Sequence, residues 1–129
     1  MKAIELTING EVYKLVAGFG FLREINSKAK VQLDDIKQEK KVGMTLYFAS
    51  LIDGDVEALA DVIDMLNKGQ TPRLKRADIE DYIVDDDTDI DELFKTVIDF
   101  LSQTNVSKKA METLKGTMDQ SKDQSKTNQ

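Results

Sequence analysis

The feature that most constrains the fold is the dipeptide Asn9-Gly10, which separates two short segments rich in apolar residues. A two-residue hairpin turn of type I′ needs a positive φ angle at both central positions, and Asn-Gly meets that need better than almost any other pair. The sequence therefore predicts an antiparallel β-hairpin over residues 2–15. The apolar residues on either side of the turn are Ile4, Leu6, Ile8, Val12, Tyr13 and Leu15.

Beyond the hairpin, apolar residues recur at the three- and four-residue spacing of amphipathic helices. Pro72 is the only proline, so helices are permitted over most of this region. We expect five or six short helices between residues 16 and 117. Their apolar stripes are Val16, Phe19, Leu22 and Ile25; Met44, Tyr47, Phe48, Leu51 and Ile52; Val56, Leu59, Ala60, Ile63 and Leu66; Ile79, Tyr82 and Ile83; Ile90, Leu93, Phe94, Val97, Ile98 and Leu101; and Met111 and Leu114.

Several helix ends carry local signals. Gly54 and Gly69 are expected to end the helices that precede them, since glycine readily adopts the left-handed conformation of a C-terminal cap. Asp55 is the expected N-cap of the helix that follows. Thr88 is the expected N-cap of the helix starting near residue 90, with Asp91 as its capping-box partner.

Two segments are too polar to contribute to a core. Residues 30–41 read as a long loop or a weak helix. Residues 118–129 include a tandem DQSK repeat and only polar residues after position 118, so we expect a disordered tail. The predicted fold class is mainly α (α+β), with an N-terminal β-hairpin followed by a compact helical bundle in one domain of residues 1–117.

The chain contains neither cysteine nor histidine. This excludes disulfides, thiolate-bound zinc, serine triads and histidine-bound metals within the chain. Carboxylate pairs such as Asp61 and Asp64, or Asp78 and Asp81, are common on solvated helix faces, and no electrophile-binding group or pocket signature accompanies them. We therefore expect no enzyme, no cofactor and no metal site, and absent cysteines favour an intracellular location.

Charge and hydropathy exclude two classes of partner. The net charge is −6, which makes binding to nucleic-acid phosphates unfavourable overall. No run of about 18 apolar residues is present, so we expect no membrane span. Protein partners remain the most consistent class.

Nine acidic residues and no basic one lie between positions 78 and 92. An EF-hand loop needs glycine at its sixth position and glutamate at its twelfth. A loop that begins at Asp85 or at Asp87 has neither residue at these positions. Aspartates near a helix N-terminus also stabilise its dipole, which is the simpler explanation. A partner-facing patch is the alternative, with Asp85, Asp86 and Asp87 as its candidate residues.

Apolar residues on two of the predicted helices are either core or part of a partner groove, and core is the default for helical spacing. The candidate groove residues are Met44, Tyr47, Phe48, Leu51, Leu59 and Ile63. The basic cluster of Arg73, Lys75 and Arg76 either pairs locally with acids or polarises the surface for a partner.

The order of these features resembles that of a known family. The hairpin LTINGEVYKL runs into GFGFLREIN, and VGMTLYFASLIDGDVEALADVI follows. The basic TPRLKRADIEDYIVD stretch and the acidic IDELFKTVIDFL helix come next. Over roughly residues 4–115, the chain looks like a tail assembly chaperone of long-tailed, siphovirus-type phages or prophages of Gram-positive bacteria.

That resemblance implies a function and partners. Such chaperones bind and solubilise the long tape measure protein in the host cytoplasm and pass it to the major tail (tube) protein. In many such phages, a frameshifted longer product is thought to recruit tube subunits. The chaperones of this family are generally absent from the mature virion. Coating a long client also suggests that they self-associate.

Two rival functions remain open at this point. An acidic regulator that mimics nucleic acid would bind a basic DNA-binding protein in a salt-sensitive way. A structural tail component would remain in the finished particle, where mass spectrometry would detect it.

Overall fold

The computed structural model describes residues 2–32 and 43–116. Within these ranges the chain forms a two-stranded sheet and six helices, which confirms the predicted mainly helical, hairpin-led fold. The predicted tail of residues 118–129 and most of the polar segment 30–41 lie outside the described residues, and the predicted domain bounds stay a prediction. The elements are β1 (Ala3–Ile8), β2 (Glu11–Val16), α1 (Phe19–Gln32), α2 (Gly43–Ile52), α3 (Val56–Asn67), α4 (Arg76–Val84), α5 (Ile90–Gln103) and α6 (108–116).

The hairpin forms around the predicted turn. Strands β1 and β2 are antiparallel, with Ile8 opposite Glu11 and Ala3 opposite Val16. Asn9 and Gly10 have φ angles of 54° and 79°, as a type I′ turn requires. The local chemistry of the dipeptide therefore sets both the turn and the register.

One face of the hairpin belongs to the core. Leu6, Ile8 and Leu15 are buried on that face, while Glu5 and Lys14 point to the other side and are exposed. The sheet packs against α3 through β2 and against α4 through β1. The alternation of the sequence thus becomes one buried and one solvated face.

Helix α3 lies at the centre of the bundle, in contact with β2 and with α1, α2 and α4. Most of its residues are buried, including Leu59 and Ile63 at 0% exposure. The Asp55 carboxylate accepts hydrogen bonds from the backbone N–H groups of Glu57 and Ala58, which confirms the predicted N-cap. Gly69 follows the end of the helix with a φ angle of 84°, in agreement with its predicted role.

The predicted cap of α5 is wrong by one residue. Asp89, rather than Thr88, occupies the N-cap position, and its carboxylate accepts a hydrogen bond from the Glu92 N–H. Both residue types favour this position, so adjacent candidates compete. The Thr88 N–H instead bonds the Asp85 carbonyl in the preceding turn.

Three predicted stripe positions are also wrong, the first being Val16, which belongs to β2 and not to a helix. Phe19 is 67% exposed, and Phe21 is buried with Ile25 instead, because α1 begins only at Phe19 after the strand extends to Val16. Val56 is 46% exposed, because it is the first residue of α3 and lies beyond the packed face. The residue at which a helix begins therefore determines which of its side chains are buried in the core.

A single hydrophobic cluster draws side chains from both strands and all six helices of the described chain. Leu93, Val97 and Leu101 confirm the stripe predicted for α5, and Met111 brings α6 into the same cluster. At the junction of α5 and α6, the buried Ser107 hydroxyl hydrogen-bonds the Thr104 hydroxyl and the Leu101 carbonyl. The turn between these helices is therefore satisfied internally.

Candidate partner-binding surface

The structure places most of the apolar candidates inside the protein. Met44, Phe48, Leu51, Leu59 and Ile63 are buried at 5% exposure or less, and they join the central cluster. Side chains in this position stabilise the fold by leaving water, by about 1.5 to 3 kcal/mol each. The solvent-facing surface of α2 and α3 is formed by other residues.

Tyr47 is the sixth apolar candidate, and it is half-buried at the edge of the α2–α3 contact. Its hydroxyl donates a hydrogen bond to Asp61 Oδ2 at 3.1 Å. Burial and the neighbouring Asp61 carboxylate raise the pKa of Tyr47 to about 12, although the nearby Arg76 opposes this. The phenol therefore stays protonated and holds α2 to α3 over the whole physiological range.

A shallow groove lies on the outer side of α2 and α3, and we call it the α2–α3 groove. Leu46, which is 41% exposed, lines the groove together with Tyr47 and the buried Ala58, and most of the exposed lining is polar. The groove has a volume of about 150 Å³ and is lined by Leu46, Tyr47, Ser50, Asp55, Glu57, Ala58 and Asp61.

Three carboxylates give the α2–α3 groove a negative charge. Asp55 caps α3 through one oxygen, Glu57 is exposed in the first helical turn, and Asp61 accepts hydrogen bonds from Tyr47 and Arg76. No lysine or arginine of residues 2–32 or 43–116 lines the groove. Its rim therefore favours a cationic group.

Arg73 and Arg76 of the basic cluster pair locally, mainly with acids on α3, whereas Lys75 forms no ion pair with a described residue. Arg73 Nη2 is 2.9 Å from Asp64 Oδ1, and Arg76 bonds both Asp61 and Glu80. Burial lowers the pKa of Arg76, but the hydrogen bonds and charges of Asp61 and Glu80 outweigh it and leave that pKa raised. Asp61 and Asp64 thus attach the start of α4 to α3.

The buried Asn67 side chain fixes the same junction. Its Nδ2 donates to the Lys14 carbonyl at 3.0 Å and to the Pro72 carbonyl at 3.3 Å. Its Oδ1 accepts from the Leu74 N–H and from Arg73 Nη1. One amide therefore links β2, the loop containing the cis peptide Thr71-Pro72, and the residues that precede α4.

The remaining candidates, Asp85, Asp86 and Asp87, lie in the exposed turn between α4 and α5. Asp85 Oδ1 accepts a hydrogen bond from the Asp87 N–H, which shapes the turn. Among the nine acids of positions 78–92, all of them described, Glu80 is the one in an ion pair. This region is therefore a separate negative surface, to which Val84 adds a side chain that is 75% exposed.

Metal-binding clusters and membrane-spanning helices are absent from the part of the chain that the structure describes. Within it, no group of three or more carboxylates is arranged to hold a metal ion. No described helix is both long and apolar enough to cross a membrane.

The sequence patterns missed Leu46 and Glu57 as residues of the groove. Leu46 could have been found, because it is an apolar residue two positions away from the Met44–Phe48–Leu51 stripe and so faces away from it. Glu57 carries no signal of its own. Its place in the groove depends on how α3 packs against α2.

A family model described as "Phage tail assembly chaperone protein, TAC" matches residues 5–115 of the 129. These residues run from β1 to near the end of α6. No curated protein and no solved structure matches the chain.

Proposed function

Because this chain belongs to the phage tail assembly chaperone family, we propose that it binds the tape measure protein, keeps it soluble and helps to recruit tail tube subunits. The observation that supports this proposal is the family match over residues 5–115, which covers nearly all of the folded elements. Tail assembly chaperones are a non-enzymatic kind of protein, so the role needs binding surfaces and not a catalytic centre.

The surface of the protein suits a carrier of an aggregation-prone client. A net charge of −6 opposes aggregation of the complex. A few large apolar side chains still face the solvent, where they can contact a client. In the described ranges these are Val12, Phe19, Leu46, Val56 and Val84.

We further propose that the exposed acids Asp85, Asp86 and Asp87 attract lysine- or arginine-rich parts of the client. Such long-range attraction accelerates encounter more than it strengthens the final complex. Reversing the three charges to lysine should therefore slow association, and the effect should disappear at high salt. Unchanged association at every salt concentration would contradict this part of the proposal.

The proposal also covers the type of phage, its host and the place where the protein acts. The phage or prophage is of the long-tailed type that infects Gram-positive bacteria, and the protein acts in the host cytoplasm and leaves before the virion is complete. Mass spectrometry of purified particles tests the last point. Stoichiometric amounts of the chain in finished tails would favour a structural component instead.

Co-expression tests the function itself. The tape measure protein of the same phage or prophage should be insoluble when expressed alone and soluble when expressed with this chain. The two should then co-purify through a tag on either one. A tape measure protein that remains insoluble, with the chaperone folded and abundant, would contradict the proposal.

A further inference from the structure

Strand β1 has one side along which no other described strand is paired. The sheet has two strands, so each strand also has a side that faces away from its partner. In a hairpin closed by a two-residue turn, Ile8 and Glu11 form the first hydrogen-bonded pair, and every second residue after them directs its N–H and C=O groups outward. On β1 these outward-directed residues are Ala3, Glu5 and Thr7.

The outward side of β2 is used within the fold. Lys14 lies opposite Glu5 in the hairpin, and its carbonyl accepts the hydrogen bond from Asn67 Nδ2 at the end of α3. This contact agrees with the alternation, because Lys14 and Glu5 form a pair whose polar backbone groups point away from each other. Helix α3 also packs against β2, so this edge is occupied by the protein itself.

The outward side of β1 has no such contact in the described chain. Helix α4 packs against β1, yet Ala3, Glu5 and Thr7 remain exposed. Their backbone N–H and C=O groups form no hydrogen bond with a described residue outside the hairpin. Proteins usually protect such an edge with a proline, a bulge or a lysine. β1 pairs with β2 without a bulge, and its three outward-directed residues are neither proline nor lysine.

The side chains of β1 restrict what can pair with this edge. On the outer face, the Glu5 carboxylate lies in the middle of the strand and forms no ion pair with a described residue. On the inner face, Ile4 packs against the core cluster but is only half-buried. An added strand with a lysine or arginine opposite Glu5 and apolar residues beside Ile4 therefore complements both faces.

A second copy of this chain complements the edge less well. In the antiparallel pairing that uses all three outward-directed residues of both copies, the two Glu5 carboxylates lie opposite each other. Like charges in that position destabilise a strand pair. Each copy also carries a net charge of −6, so the two copies repel each other. Charge therefore favours a basic segment of a different protein.

We propose that β1 is a docking edge, at which an extended segment of a partner protein adds as a third, antiparallel strand and places a lysine or arginine opposite Glu5. Main-chain hydrogen bonds to Ala3, Glu5 and Thr7 supply the affinity, and the alternating side chains supply the specificity. This inference goes beyond the proposed function, because it specifies how a partner segment binds, whichever protein carries that segment.

Binding of synthetic peptides to the full chain tests the proposal. The probe is a capped, dye-labelled peptide, Val-Thr-Val-Lys-Val-Thr-Val, which is kept dilute while the protein is titrated, and fluorescence anisotropy reports binding. We expect this lysine peptide to bind, and a matched peptide with glutamate in place of lysine to bind about tenfold more weakly.

Methylated peptides test the hydrogen bonds. In the proposed register, the N–H groups of the two threonines point at β1, and those of the two valines next to the lysine point away. N-methylation of the threonines should therefore abolish binding of the lysine peptide, whereas N-methylation of these valines should not. This comparison needs no change to the protein.

Variants of β1 locate the site on the protein. Thr7→Pro removes one outward N–H, which an edge strand tolerates, and it should weaken binding of the lysine peptide by about tenfold. Its matched control, Thr7→Ala, keeps the N–H and should stay within about twofold of the wild type. Glu5→Lys should lose affinity for the lysine peptide and gain affinity for the glutamate peptide, an exchange that a misfolded protein does not show.

Each outcome decides the proposal. Binding of the lysine peptide that is weakened by Thr7→Pro and reversed in charge preference by Glu5→Lys would support it. A wild-type chain that binds neither peptide, or binding that persists when the threonines are methylated, would overturn it. A wild-type dimer in analytical ultracentrifugation that Thr7→Pro dissociates would also overturn it, because the edge would then hold a second copy.

Discussion

Replacing Asn67 with alanine removes the side chain that joins three segments of the fold. Asn67 is 0% exposed, and its amide makes four hydrogen bonds, to Lys14, Pro72, Arg73 and Leu74. Alanine keeps the helix but can make none of these bonds. The change should therefore lower the free energy of unfolding without altering the fold class.

The size of the effect follows from which groups lose their partner. The Leu74 N–H is buried, so leaving it without a hydrogen-bond acceptor costs about 1 to 3 kcal/mol. The Lys14 and Pro72 carbonyls and the Arg73 guanidinium are part-buried and partly recover water, at about 0.5 to 1 kcal/mol each. We expect a total loss of about 2.5 to 6 kcal/mol, a large fraction of the stability of a small domain.

Urea unfolding followed by far-UV circular dichroism measures this loss. Asn105→Ala is the matched control, because Asn105 is exposed in the turn before α6 and should change stability by less than about 0.5 kcal/mol. The dependence on urea should keep the same slope in all three proteins. A loss below about 1 kcal/mol for Asn67→Ala would refute the idea that this amide fixes the junction.

Three further predictions concern stability. The pKa of Tyr47 is about 12 in the folded protein and near 10 in the unfolded chain. Its contribution to stability is therefore intact below pH 10 and is lost as the pH rises towards 12. Between these pH values, the free energy of unfolding of Tyr47→Phe should fall less steeply than that of the wild type, by up to about 1 kcal/mol per pH unit. Phe48→Ala should cost about 3 to 5 kcal/mol in urea unfolding, whereas Phe19→Ala, at a side chain 67% exposed, should cost less than about 1 kcal/mol. Gly10→Val should lower the thermal midpoint, since its φ of 79° strains a β-branched residue, and an unchanged midpoint would contradict the turn assignment.

Elements governed by local chemistry were predictable from the sequence. The Asn9-Gly10 turn specifies its own φ angles, and the two strands follow from it. The caps at Asp55 and Gly69 act within one helical turn, so their neighbours suffice to identify them. The stripe of α5 is regular enough to locate its buried face directly.

Elements governed by how helices meet were not predictable in the same way. Phe19 and Phe21 are equally apolar, and the point where α1 leaves the hairpin decides that Phe21 is buried. Thr88 and Asp89 both belong to residue types that favour the N-cap position. The residue at which α5 begins decides that Asp89 is the cap. Such choices depend on tertiary packing and not on propensity.

The candidate surface shows the same division. Apolar spacing on α2 and α3 identified Met44, Phe48, Leu51, Leu59 and Ile63 as one group but did not separate core from groove. β2, α1 and α5 pack against the side of these helices that carries this group. Leu46 lies on another side and stays exposed to solvent. A position in the groove is thus a property of the assembled bundle.

The most direct test of the proposed chaperone role is to identify what this chain binds during tail assembly. A tagged copy is expressed in induced cells that carry the phage or prophage, the protein is purified before lysis, and bound proteins are quantified by mass spectrometry. We predict that the tape measure protein is the most abundant partner of the chain. Recovery of a DNA-binding protein with no tape measure protein would contradict the account and favour an acidic mimic of nucleic acid.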